Sequence, residues 1–293
     1  MNTPHVPPVT VGLPVYNGER FLECAIDAIL AQTHRDFLLI ISDNASTDRT
    51  GEISQRYVER DPRVRYYRNP QNIGLSPNFN RVFELSKSPY FKWATSDDWV
   101  APDMLRDALA VLESDPKVVL CYPKTTLIDE TNGDTRTYDD QLNLMQDDAA
   151  ERFIAFYKNI GLSHQHQGVL RADAIRRTRM LASHFGSDIN FLAELTLYGK
   201  FYEVPHYQFF RRFHPDSSSW DRGSDVHQLR RYHAAGKKRI RFSVWNKYLA
   251  YARAIWRSPL TLAQKRRLFN LVGHHAYWEK GELCRELVRD GLP

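Results

Sequence analysis

The chain has 293 residues, 42% hydrophobic and 26% charged, with three cysteines and a net charge of +5. That length admits one large α/β domain or two modest ones with a sizeable core. No apolar run approaches the roughly 18 residues of a membrane span, and the start, with Pro4, Pro7 and Pro8, lacks a signal-peptide pattern, so the expected location is cytoplasmic. Cys24, Cys121 and Cys284 lie far apart with no CxxC, which argues against a disulfide framework or a cysteine metal site. The charge is uneven: Asp225 to Pro293 holds 15 Lys and Arg against 5 Asp and Glu, so the tail is basic and the body is not.

In chain order, Val9 to Val15 reads as a strand and Asn17-Gly18 as a turn. Phe21, Leu22, Ala25, Ile26, Ile29 and Leu30 then follow at helical spacing. Phe37 to Ile41 is a continuous apolar strand, a helix capped by Ser46 or Asp48 runs to about Glu59, and Val64 to Tyr67 is a third strand. A loop with Asn72 and Gly74 leads to a helix ending near Leu85. A strand at Tyr90 to Ala94, a helix from Pro102 to Leu112 and a strand at Val118 to Tyr122 come next. Polar residues fill Asp129 to Asp148, Asp147 to Asn159 returns as a helix, Gly161 to Trp220 is mixed, and Val226 onward is mostly helical. Alternating strand and helix predict an α/β, doubly wound, mostly parallel open sheet, with ligands at the carboxyl ends of the strands. The division expected is 1–222 as the sheet domain, with 9–125 as a donor half and 126–222 as an acceptor half, followed by a basic helical extension at 223–293.

Three polar clusters fall directly after strands: Pro14-Val15-Tyr16-Asn17-Gly18-Glu19, Asp43-Asn44-Ala45-Ser46-Thr47-Asp48 and Thr95-Ser96-Asp97-Asp98. Each alone reads as a turn or cap; their joint placement points to a nucleotide diphosphate. The carboxylates of Asp97 and Asp98 are hard oxygen ligands of the kind Mg²⁺ or Mn²⁺ accepts, and such an ion offsets charge on a leaving diphosphate. Asp43 can accept a hydrogen bond from a base N–H, and Tyr16 can stack on the base. The absence of GxGxxG after the first strand and of GxxxxGK[ST] anywhere disfavours a dinucleotide fold or a P-loop.

The ordered set Val11-Gly12-Leu13-Pro14-Val15-Tyr16-Asn17-Gly18-Glu19, Gln32-Thr33, Ser42 to Asp48, Asn72-Ile73-Gly74 and Ser96-Asp97-Asp98 resembles the successive signatures of family 2 glycosyltransferases with the GT-A fold. The resemblance implies an inverting transferase that uses a nucleotide-activated sugar. Pro14, Tyr16, Glu19 and Asp43 would line the nucleoside pocket, and Val15, Asn72, Gly74 and Ser96 would belong to the donor side. Asp97 would hold the metal. The family's usual first acid of its D-x-D signature is Thr95 here. By the same resemblance Asp188, in Gly186-Ser187-Asp188, stands where the family places its general base, with Ser187 replacing a first acid. Phe210 to Ser217 resembles the family's Arg-x-x-His segment. His214 would approach metal and diphosphate there, while Arg211 or Arg212 offsets phosphate charge, Arg212 being assigned to the donor side.

His164-Gln165-His166-Gln167 has i, i+2 spacing that faces opposite ways on a strand, and reads as an acceptor-lining loop rather than a metal pair. The basic tail, with Trp245, Tyr248, Tyr251, Trp256 and Trp278, reads first as a solvated face over an aromatic core, and second as a peripheral contact with an anionic inner membrane surface. The function expected is divalent-metal-dependent transfer of a sugar, from a UDP-sugar for preference, to the hydroxyl of a glycan, lipid-linked or small-molecule acceptor. The alternatives are a nucleotide-sugar-binding protein without turnover, suggested by Thr95 and Ser187, and a surface or nucleic-acid binder using the tail.

Overall fold

A computed structural model describes residues 5–215 and 241–291. The expected boundary at 222/223 and the residues 225–240 of the basic tail lie outside the described residues. In the first part β1 (Val9–Val15), β2 (Phe37–Asp43), β3 (Val64–Arg68) and β4 (Tyr90–Trp93) alternate with α1 (Leu22–Leu30), α2 (Thr50–Arg60) and α3 (Leu75–Glu84). β1 pairs in parallel with β2 and β4, and β2 with β3; β1 and β2 are buried along nearly their whole length, while the edge strand β3 buries Val64 and is largely exposed. Val9, Val11, Leu13 and Val15 enter one core with residues of α1, α2 and α4 (Met104–Ser114). Phe83, Phe91 and Trp93 belong to the core on the other side. Gly12 allows that second layer to close: a Cβ there would meet Phe91 Cζ at 2.5 Å and Val82 Cγ2 at 2.9 Å.

Gln32 and Thr33 tie α1 to α4. The buried Gln32 amide donates to Ala101 O at 2.7 Å and accepts from Leu105 N at 3.0 Å, while Thr33 N donates to Pro102 O at 2.8 Å. α4 thus starts at Met104, just past Pro102. α2 starts at Thr50, whose N–H is taken by Asp48 Oδ1 at 3.0 Å.

Beyond β4 the sheet is mixed rather than mostly parallel. The strands β5 (Trp99–Val100), β6 (Val118–Asp129), β7 (Thr135–Tyr138), β8 (Val169–Arg171) and β9 (Lys200–Phe213) give the order β3-β2-β1-β4-β8-β6-β9-β5, with β7 on β6. β8 lies antiparallel between β4 and β6, β9 is parallel to β6, and β5 and β7 are antiparallel to β9 and β6. Two- and three-residue strands carry no periodicity to read, and β7 falls inside the polar stretch. β6 runs on to Asp129, past the predicted end at Tyr122, because β7 and β9 satisfy its backbone on both sides.

The helices α5 (Ala149–Asn159), α6 (Ala172–Arg177), α7 (Ser187–Thr196), α8 (Ser243–Arg257), α9 (Leu262–Trp278) and α10 (Lys280–Gly291) complete the described chain. Tyr251 of α8 packs edge-on against Phe153 and Tyr157 of α5. Buried Glu286 of α10 accepts from Val244 N at 3.0 Å and Trp245 N at 3.2 Å, which satisfies the start of α8. The C-terminal helices therefore bury aromatic residues while keeping a basic exterior. Among the described residues no helix is long and apolar enough to cross a membrane.

One core residue is a lysine. Lys92 of β4 is 1% exposed, and its Nζ donates to Trp93 O at 3.0 Å and to Gln167 O. Burial pushes its pKa down to about 7, against a small opposing pull from Asp98. Between that value and the ordinary lysine range the unfolded chain binds the extra proton, so the Lys92 contribution to stability rises with pH. Wild-type stability, compared with Lys92→Met by urea unfolding, is expected to gain with a slope of up to about 1.4 kcal/mol per pH unit above pH 7. A pH-independent difference would show that the amine stays charged.

Candidate active site

The loops after β1 and β2 clasp each other. Asn17 N donates to Ser46 Oγ at 2.9 Å, Gly18 N to Thr50 Oγ1 at 2.9 Å, and Glu19 N to Asp48 Oδ2 at 3.0 Å. In return Asn17 Oδ1 accepts from Thr47 N at 2.8 Å and Glu19 Oε2 from Arg49 N at 3.0 Å. Asn17 takes φ 51°, a left-handed conformation that asparagine tolerates. The clasp leaves Tyr16 half-exposed at the carboxyl end of β1, with its ring open to a stacking partner, beside buried Val15. Glu19 gives one carboxylate oxygen, Oε2, to the clasp and is exposed.

Asp43 ends β2 fully buried. Its Oδ1 accepts from Ser46 N at 2.8 Å, and its Oδ2 from Tyr66 Oη at 2.7 Å and Arg68 Nη1 at 2.8 Å. Its carboxylate is therefore engaged by protein donors, and the half-exposed Arg68 is the polar edge beside it. Asn72 and Gly74 belong to an amide network: Asn72 Oδ1 accepts from Asn44 Nδ2 at 2.9 Å and Gly74 N at 2.8 Å, while Asn44 Oδ1 accepts from Ile73 N at 2.9 Å and Asn69 Nδ2 at 3.0 Å. Gly74, at φ 93°, starts α3. The β3–α3 loop is thereby held to the end of β2.

Between β4 and β5 the acids diverge in their surroundings. Asp98 accepts from Thr95 Oγ1 at 2.7 Å and from Arg212 N at 2.8 Å. Burial, then the neighbouring Asp97 charge, pushes its carboxyl well above the usual carboxylate range. Thr95, standing where the resemblance places an acid, thus supplies a donor to Asp98. Asp97 is partly open, and its Oδ2 lies 3.3 Å from Nε2 of His214, which is buried beside the Phe21 ring. Ser96 lies close to Gly18, where a Cβ would approach Ser96 Oγ to 3.2 Å.

Arg212 holds this loop. Its guanidinium lies over the rings of Phe21 at 4.3 Å and Trp99 at 4.7 Å, donates from Nε to Asp97 O at 2.9 Å, and pairs with Glu130. It is occupied by protein groups on every side. Arg211, one residue earlier on β9, is partly buried; burial pulls its pKa below the usual arginine range, and the charges of Asp98, Asp97, Asp140 and Asp188 oppose that shift.

Asp188, expected on the acceptor side, is carried by α7. Gly186, at φ 76°, is its N-cap, so Asp188 lies in the first turn rather than capping it, where the helix dipole favours a negative charge. Asp188 Oδ2 accepts from Ser163 Oγ at 3.2 Å. Ser163 takes φ 63° and leads into a 3-10 helix at His164–Gln167, so that segment is not a strand. Its two histidines separate: His164 Nε2 meets Arg211 Nη1 at 2.7 Å, and His166 Nδ1 lies 3.2 Å from Ser163 O. Asp140 was not legible as a site residue, and His164 was legible only as part of an acceptor-lining loop. A polar run and a histidine pair gave no sign that β9 would bring Arg211 to them.

Among the described residues no three His, Cys, Asp or Glu side chains converge as a metal cluster. Asp97 and His214 nonetheless present one oxygen and one nitrogen side by side. Their 3.3 Å separation fits neighbouring ligands on an octahedral divalent ion, which lie about 3 Å apart. His214 Nε2 is at hydrogen-bond distance from Asp97 Oδ2, and His214 Nδ1 is buried without a partner among the described residues.

The family described as Glycosyl transferase family 2 matches residues 10–179, more than half of the chain. The chain belongs to glycosyl transferase family 2. Glycosyltransferase GlyA of Streptococcus pneumoniae serotype 4 is 35% identical over 95 residues, covering 32% of this chain and 14% of that protein. Uncharacterized glycosyltransferase EpsJ of Bacillus subtilis is 35% identical over 101 residues, 34% of this chain and 29% of its own length. The match thus spans under a third of either relative. In three dimensions this family 2 chain superimposes on S. aureus TarS 1-349, solved in complex with UDP, with a TM-score of 0.66, 13% identity, and coverage of 92% of this chain and 71% of that one. The same TarS fragment in complex with UDP-GlcNAc gives 0.66 at 14% identity over 92% and 72%. The GT-A glycosyltransferase fold is therefore shared.

The packing of Arg212 makes it a stability residue. Arg212→Met is expected to lower the unfolding free energy by about 2–4 kcal/mol, since it removes two ring contacts, a hydrogen bond and an ion pair in one step. Chemical denaturation measures this, and a change below about 0.5 kcal/mol, the size of ordinary surface substitutions, would refute the hub assignment.

Proposed function

We propose that this family 2 chain transfers a sugar from a UDP-sugar to an acceptor hydroxyl with inversion at the anomeric carbon. The observation that carries the reading is the convergence of Asp97 and His214 at 3.3 Å, with Asp188 in the first turn of α7. UDP and UDP-GlcNAc in the TarS complexes support a uridine donor. Tyr16 stacks on the base at the carboxyl end of β1, flanked by Pro14 and Val15. The Asp43–Arg68 pair borders the nucleoside pocket, and Asn72, Gly74 and Ser96 shape its walls. Asp97 and His214 would hold a Mg²⁺ or Mn²⁺ ion, which would offset charge on the diphosphate. Arg211 adds a fixed positive charge beside it.

Asp188, as a carboxylate at a helix N-terminus, takes the proton of the acceptor hydroxyl while that oxygen attacks the anomeric carbon and the bond to UDP breaks. Ser163 Oγ orients the carboxylate by donating to it. No covalent enzyme intermediate is needed, because the attacking and leaving oxygens are on opposite faces of the sugar.

A screen of UDP-, GDP- and dTDP-sugars with and without Mn²⁺ tests the reading. UDP-sugars are expected to bind, with metal enhancement that Asp97→Ala removes. Asp188→Asn is expected to keep binding while kcat falls about 10²–10⁴-fold. Binding without turnover of any acceptor would favour a non-catalytic nucleotide-sugar binder, in line with Thr95 and Ser187; no nucleotide binding would overturn the proposal.

A specific surface supports a peripheral contact as well. At the α8–α9 turn Trp256 is 70% and Leu262 83% exposed, Lys265 lies 5.8 Å from the Trp256 ring, and residues 251–267 carry five Arg and Lys with no acid. Exposed Trp and Leu framed by cations suit an anionic membrane surface better than nucleic acid, which offers an aliphatic side chain little. Binding to phosphatidylglycerol-containing vesicles is expected to drop in Trp256→Ser/Leu262→Ser, while uncharged vesicles bind neither form. Equal binding of both forms would remove this contact.

A further inference from the structure

Arg211 comes late in β9, yet its guanidinium is held by a residue 47 positions away. Arg211 Nη1 lies 2.7 Å from His164 Nε2, and also reaches Leu162 O at 3.4 Å. A guanidinium can only donate, so Nε2 must offer a lone pair. His164 is then neutral, with its ring proton on Nδ1. An imidazolium there would set two cations within hydrogen-bond distance of each other in a buried place. The ring's other side agrees with this assignment: Nδ1 faces Asp140 Oδ2 at 3.3 Å, and both side chains are at least 97% buried. The contact is off the hydrogen-bond direction, and both Asp140 oxygens and His164 Nδ1 lack any better-directed partner among the described residues. Asp140 therefore has no competing donor. The ring itself cannot turn freely, since Tyr138 packs edge-on at 5.2 Å and Phe209 at 5.8 Å. Burial also disfavours the imidazolium, pulling the His164 pKa down.

We propose that Asp140 and His164 are positioning residues, which fix the Arg211 guanidinium between the acid loop, to which the next residue of β9 is hydrogen-bonded, and the Leu162–Ser163 turn, whose serine donates to Asp188. Asp140 selects the tautomer, His164 presents its lone pair to Arg211, and Arg211 presents charge to the reacting groups. The order is an acid, a ring and a cation, each orienting the next, with only the last one facing substrate. This inference rests on the transferase reading for its catalytic consequence, but its structural core does not.

Two measurements on the full chain test it. In ¹⁵N-histidine spectra the His164 ring is expected to carry its proton on Nδ1, with Nε2 unprotonated, and Arg211→Met is expected to change that signature. A proton on Nε2 overturns the proposal whatever the catalytic outcome, since Nε2 could not then accept from Arg211. In turnover assays His164→Leu is expected to lower kcat about 10- to 100-fold with little change in donor KM, and His164→Gln, whose Oε1 restores an acceptor, to recover to within about threefold of wild type. In the Arg211→Met background His164→Leu should add no further loss. Equal loss in His164→Leu and His164→Gln, or full additivity with Arg211→Met, would assign His164 a packing role alone. If wild type turns over no UDP-sugar, the transferase reading fails, and the tautomer measurement alone decides the positioning claim.

Discussion

The arrangement depends most on one side chain. Arg212 carries a delocalised charge on a planar group, so it can lie against the rings of Phe21 and Trp99 and still donate in its own plane to Asp97 O and Glu130. Its backbone N–H supplies one of the two hydrogen bonds to Asp98. The start of α1, the acid loop, the end of β6 and the end of β9 thus meet at a single residue. A lysine could not do this, because a point charge on a flexible stem has neither the planar face nor the forked donors. Through this hub Asp98 becomes a structural acid, and Asp97, the residue before it, is left partly open beside the buried His214.

The division of labour among carboxylates follows from their partners. Among the described residues Asp43 accepts from three protein donors, Asp98 from two, and Asp188 from the hydroxyl of Ser163. The least encumbered acids are those with room for something that is not protein. Thr95 fits the same logic: a second acid beside Asp98 would face it without a donor between them, whereas a hydroxyl gives Asp98 the hydrogen bond it needs.

Much of the donor half was legible because its signals are local. β-branched strands buried on both faces read as apolar runs, and the polar clusters after β1, β2 and β4 stand where an open α/β sheet presents its ligands. What could not be read was the use made of each residue. Glu19 and Asp43 look alike as pocket acids in sequence, yet one closes the clasp and the other is sealed beneath Arg68. β8 and β9 could not be placed, since β8 is three residues long and pairing between distant segments leaves no periodic trace. With β9 unplaced, the neighbouring arginines could not be told apart. Strand alternation sends Arg212 to the ring pair and Arg211 to His164, which one residue of register decides.

The pairing of β5 with β9 has a consequence for the order in which the protein is made. Trp99 and Phe210 are hydrogen-bonded neighbours although 111 residues separate them, and β5 is too short to stand without that partner. The parallel strands β1 to β4 close through short crossovers and can form while the rest of the chain is still being synthesised. The acid loop cannot take its final shape until β9 has left the ribosome and docked. The acid loop therefore takes its shape late, through the slow closure of a long loop.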